Sequence, residues 1–255
     1  MISIKKSIFI FLTMFMFYGC GGNVVYYKDE KNNLDYLDYN LIETAHFIFI
    51  SKSIDISKLK SFANTAENIY YSIFLEFGGN YIFMRPYKIF VYLDLSEKNT
   101  YISDQKYAEI VFSTDSVCEL SKVIASLMLK DVIGDYLDLY PILYYGYITY
   151  YERNSCLSKE NYYSSLISDF ISKGYDPFYL LDLSNPKNLK KEELDIYLAI
   201  SSSLIKFLIE RYSEFKFSIF INELRKGSSF TKAIENTYLL SNNEFKRNFK
   251  EYLMK

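Results

Sequence analysis

The sequence predicts an α+β domain, with a small N-terminal sheet and one long helix followed by a mostly helical C-terminal half. Three observations carry this. The β-rich runs HFIFIS (46–51), KIFVYLDLS (88–96) and YAEIVF (107–112) all precede Thr114. One long helical pattern, Ile56–Phe77, separates the first two. After Thr114 nearly every segment repeats apolar residues at helical spacing.

The chain starts outside that domain. Lys5 and Lys6 precede an apolar run, SIFIFLTMFMFYG (7–19), that ends at Cys20. The run is too short to span a bilayer and has the layout of a secretory signal peptide. Gly19 before Cys20 and Gly21-Gly22 after it resemble a bacterial lipoprotein signal, although Tyr18 departs from the small residue usual two places before the cysteine. The resemblance implies a signal peptide over 1–19, a lipidated Cys20, and an extracytoplasmic protein held to an envelope membrane by acyl chains. Residues 21–44 are polar and without period, so 20–44 reads as lipidated cysteine and tether, and 45–255 as the domain.

A chain of 255 residues with net charge −2 can bury a real core but has no field to attract nucleic acid. It holds 27 tyrosines, which weakens any inference from a single aromatic residue. With Cys20 lipidated, Cys118 and Cys156 remain. They could pair in an oxidising compartment, but two buried free thiols is the reading adopted.

The first helix carries Leu59, Phe62, Ala66, Ile69, Tyr70, Ile73 and Phe74 on one stripe and stops at Gly78-Gly79. The second, about 116–130, places Val117, Leu120, Val123, Ile124, Leu127 and Met128 on one face. A third covers 143–153 and a fourth 162–173, the latter stopped by Gly174 and Asp176-Pro177. A loop follows over 180–193. Helices at 193–212, 216–225, 229–236 and 243–253 close the chain.

Two phrases carry a resemblance: CELSK at the start of the second helix, and PILYYGYITYYE on the third. The tail adds ISSSLIKFLIERYSEFKFSIFINELRKGSSFTKAIE and a final helix ending in Tyr252-Leu253. In this order, over about 45–253, they resemble the peptidase-MA-like domains of the gluzincin zinc metallopeptidases. Ser213 stands where that family usually has glycine. The resemblance implies a zincin-like fold. In that family two histidines of an H-E-x-x-H helix and a glutamate of the next helix bind the metal, and the first glutamate is the general base. Position by position, the ligands fall on Cys118, Lys122 and Tyr145, and the base on Glu119. None of the three ligands is present. Lysine offers a cation and tyrosine is a poor ligand at neutral pH, so no metal cofactor is expected, and Glu119 reads as an acidic first-turn residue favoured by the helix dipole.

His46, the chain's one histidine, reads as a structural residue of the first strand. Tyr144, Tyr147 and Tyr151 line one face of the third helix and form a candidate ligand groove, weighed against simple packing of that helix on its neighbour. The expectation is a catalytically inactive metallopeptidase-like domain that binds a peptide or protein partner in the former cleft. The alternatives are an active zinc peptidase with an atypical ligand set and a purely structural envelope lipoprotein.

Overall fold

A computed structural model describes residues 39–79, 88–93, 101–104, 109–112, 116–181 and 186–254. The proposed signal peptide, Cys20 and most of the tether lie outside these residues. So do the last residues of the expected second strand and the first of the third.

The α+β order holds. Five strands, β1 (Asn40–Glu43), β2 (Phe47–Ser51), β3 (Ile89–Leu93), β4 (Tyr101–Asp104) and β5 (Glu109–Phe112), form one mixed sheet in the order β1-β2-β3-β5-β4. β2, β3 and β5 run parallel, and each edge strand pairs antiparallel with its neighbour. A parallel pair needs a crossover, and between β2 and β3 this is helix α1 (Ile56–Glu76). The sheet therefore begins at Asn40, inside the stretch read as tether. Leu41 and Ile42 are too short an apolar run to signal a strand, but both are buried once paired with β2.

Asp55 caps α1 by accepting from the Ser57 and Lys58 amides, and Gly78 ends it at φ +84°. The apolar stripe of α1 lies on the sheet: Phe62 meets Phe49 and Phe112 edge-on, and Tyr70 meets Phe47. His46 is a clamp at this layer. Its Nδ1 lies 2.7 Å from Glu67 Oε2 on α1, and its ring stacks on Tyr70 at 4.2 Å.

The helical half comprises α2 (Val117–Ile133), α3 (Pro141–Asn154), α4 (Leu157–Ser172), α5 (Pro177–Leu181), α6 (Lys191–Tyr212), α7 (Glu214–Arg225), α8 (Phe230–Tyr238) and α9 (Asn242–Leu253). α4 starts earlier than its periodicity suggests because its first turn faces solvent, with Leu157 exposed. The loop expected over 180–193 instead begins inside the short α5 (Pro177–Leu181), holds a 3-10 turn at Pro186–Asn188 and ends inside α6, which starts at Lys191. α6 is the central helix, buried from Ala199 to Ile205. α3 lies so close to it that a Cβ on Gly146 would sit 2.6 Å from the Ser201 carbonyl oxygen. That approach is the physical reason for glycine at this point of α3. Ser213, between α6 and α7, has φ +82° and ψ 155°, a region essentially reserved for glycine.

Candidate functional site

α2 buries Leu120, Ile124, Leu127 and Met128 as its spacing predicts, leaves Val117 exposed and Val123 half-buried, and presents Cys118, Glu119 and Lys122 at its start. Cys118 is joined to Cys156 in a disulfide with Cα atoms 5.5 Å apart. This corrects the reading of two free thiols. α2 and α3 lie antiparallel, joined by the 3-10 turn Gly134–Leu139, so the start of α2 meets the chain just past the end of α3. Glu119 and Lys122 pair with each other at 3.7 Å, each side chain about a third exposed (33% and 38%).

Tyr145 does not join this group. Ser126 and Tyr144 share a hydrogen bond of 3.1 Å, and Lys130 lies 5.7 Å from the Tyr144 ring centroid, which fixes the register of α2 on α3. At about 1.5 Å of rise per residue, Lys122 is some 6 Å nearer the disulfide than the level of Tyr144. The Tyr145 ring packs on Tyr144 at 5.1 Å and on Tyr197 of α6 at 6.2 Å. Burial, with Tyr144 beside it, pushes its hydroxyl above the ordinary tyrosine value and away from the ionised form a metal would need. Thus the first of the three carried-over positions is oxidised, the second is a cation paired with Glu119, and the third faces another helix. They do not fit a zinc ion. Among the described residues no three His, Cys, Asp or Glu side chains are grouped to hold a metal.

The tyrosine face of α3 is divided. Tyr144 faces α2, whereas Tyr147 is wholly enclosed, stacked between Phe77 at 5.5 Å and Phe217 at 6.0 Å. Tyr147 therefore lines no open groove, because α1 and α7 close over this side of α3. Its hydroxyl donates to Glu76 Oε2 at 2.8 Å. Tyr151 borders a cleft of about 410 Å³ between the second half of α1, the end of α3 and the start of α7.

Glu76 was not a sequence candidate, although a signal for it exists. It follows Ile73 by three residues and so continues the apolar stripe of α1. It is 6% exposed. Burial raises its pKa to about 7; the Tyr147 and Tyr151 hydroxyls oppose this, and Glu214 adds to it.

A second cleft of about 750 Å³ opens between α4, α6 and the C-terminal turn, next to Arg153. Arg153 is buried and its donors are taken: Nε to Glu160 at 2.6 Å, Nη1 to Ser202 and Ser203 at 2.8 and 2.9 Å. Burial would raise Glu160, but the bond and charge of Arg153, with Lys206, hold it below the ordinary carboxylate value. This network ties α3, α4 and α6 together and satisfies itself. No protein-family model matches the chain, and no curated protein matches it in sequence.

Proposed function

We propose that this chain is an exported, lipid-anchored envelope protein whose zincin-like domain is catalytically inert and serves as a binding module. The observation that carries the reading is the Cys118–Cys156 disulfide. Disulfides persist in oxidising compartments, in keeping with a secretory leader and a lipidated Cys20. The same bond removes the one sulfur at the carried-over metal position, since a half-cystine has no thiolate to offer. Glu119, the carried-over base, neutralises Lys122 instead of facing a metal-bound water. With α2 locked to α3 at the point where the family's chemistry would take place, the domain retains a rigid scaffold.

The test is thiol alkylation and elemental analysis of the full-length protein isolated from the cell envelope. Alkylation of Cys118 and Cys156 only after reduction, with zinc below about a tenth of an equivalent, is expected. Free thiols together with close to one zinc, lost in Cys118→Ser, would replace this reading with a working peptidase. A protein with the disulfide intact that stays in the cytoplasm would overturn the envelope assignment.

A further inference from the structure

The network beside Arg153 is complete in hydrogen bonds but not balanced in charge. One carboxylate, Glu160, serves two cations there: its Oε2 accepts from Arg153 Nε at 2.6 Å, and its Oε1 lies 3.4 Å from Lys206 Nζ. The short bond to the buried guanidinium takes up the Glu160 charge, so Lys206 remains as one surplus positive charge on the cleft wall. Among the described residues lining the cleft, Glu160 is the one acid. Glu210, one turn further along α6, is exposed, lies outside the lining and accepts from the Tyr252 hydroxyl at 2.9 Å. The Lys206 side chain is only 30% exposed. Drawing a cation that far out of water costs free energy unless an anion meets it, and packing alone would be satisfied by methionine at this place on α6.

Donors are left over as well. An ammonium has three N–H groups, and Glu160 occupies one of them. Ser164 and Ser168 stand one turn apart on the α4 wall. Ser164 accepts from Arg153 Nη2 at 3.4 Å, but neither serine donates its hydroxyl proton to a described group. Ser172, a turn further on, gives its proton to the Asp169 carbonyl instead. Ile171, Leu253 and Met254 line the same cleft with apolar surface. We infer that this cleft is a binding site for a monocarboxylic acid with an unbranched alkyl chain, its carboxylate on Lys206, Ser164 and Ser168 and its chain along Ile171, Leu253 and Met254.

A carboxylate brings one negative charge to one surplus positive charge, whereas a phosphate monoester would bring nearly two. Hydroxyl and ammonium donors on one wall with aliphatic surface beside them match a head that accepts hydrogen bonds and a tail that does not. A volume of about 750 Å³ lies within the range of small-molecule sites and takes a chain of about eight carbons. The inference is independent of the zincin-like reading, because none of these residues belongs to the carried-over metal frame.

The test is calorimetric titration of the full-length, disulfide-bonded protein with sodium octanoate at about pH 7.5 and about 50 mM salt. Saturable binding is expected, about tenfold or more weaker in Lys206→Met. That variant keeps the buried Arg153–Glu160 pair and a side chain of similar length, so the fold is retained. Ser168→Asp, at an exposed position, puts a negative charge on the wall and should also weaken binding about tenfold or more. Octylammonium, with the same chain and the opposite charge, should bind at least about tenfold more weakly than octanoate. No saturation up to about 10 mM octanoate, equal binding of octylammonium, or a Kd unchanged within about twofold in both variants would overturn the site.

Discussion

Replacing Glu76 by glutamine should remove a pH dependence that a single buried carboxyl gives the whole domain. Its pKa is about 7 folded, against an ordinary value of 4.5. The folded protein therefore holds the Glu76 proton more tightly than the unfolded chain does. The stability this contributes is fully present below pH 4.5 and is lost as pH rises through about 7. At about 1.4 kcal/mol per pH unit the full effect is about 3 kcal/mol, and most of it falls between pH 5 and pH 8. Carboxyls held low by their partners, Asp55, Glu160, Glu223 and Glu244, act in the opposite sense and in a more acid window, where stability is lost as pH falls through their lowered values. The two effects separate on the pH axis. The assay is urea unfolding followed by far-UV circular dichroism at several pH values across that range. Wild type should lose about 2–3 kcal/mol from pH 5 to pH 8, while Glu76→Gln, which still accepts from Tyr147, should be nearly flat. An equal slope in both proteins would show that Glu76 is not the group responsible.

Other perturbations test the packing directly. Changing Cys118 and Cys156 together to alanine opens a cross-link spanning 38 positions, which chain entropy values at about 4 kcal/mol, so thermal unfolding should shift down by about 10 °C. Gly146→Ala puts a methyl 2.6 Å from the Ser201 carbonyl oxygen and should cost about 2–3 kcal/mol in denaturant unfolding, because backbone on both sides cannot yield easily. Ser213→Gly should add about 1 kcal/mol by relieving φ +82°, slightly offset by loss of the Ser213 bond to the Lys216 amide. Arg153→Met should lower stability by about 2–4 kcal/mol, since Glu160 keeps its charge and loses its main partner, and a double change with Glu160→Gln should recover part of this in the same unfolding assay.

Local physics made much of the helical half legible. Leu59, Phe62, Ile69 and Ile73 recur at helical spacing and are buried on the sheet, and Gly78 ends their helix where glycine is tolerated at positive φ. The three inner strands read as strands because their side chains alternate or are uniformly apolar. β1 was missed for the opposite reason: Leu41 and Ile42 become apolar cover only when β2 lies beside them.

What the sequence determined by itself is therefore what depends on neighbours along the chain: the strands-then-helices order and most helix ends. What the tertiary structure decided is what depends on separation in space. It joined Cys118 to Cys156, which spacing alone could not do. It turned Tyr145 toward α6 and enclosed Tyr147, because three helices compete for the faces of α3. It also placed Glu76 and Glu214, far apart in the chain, on facing walls of one cleft. A side chain's solvation and charge environment are set by elements packed from elsewhere, and a local pattern carries no record of them.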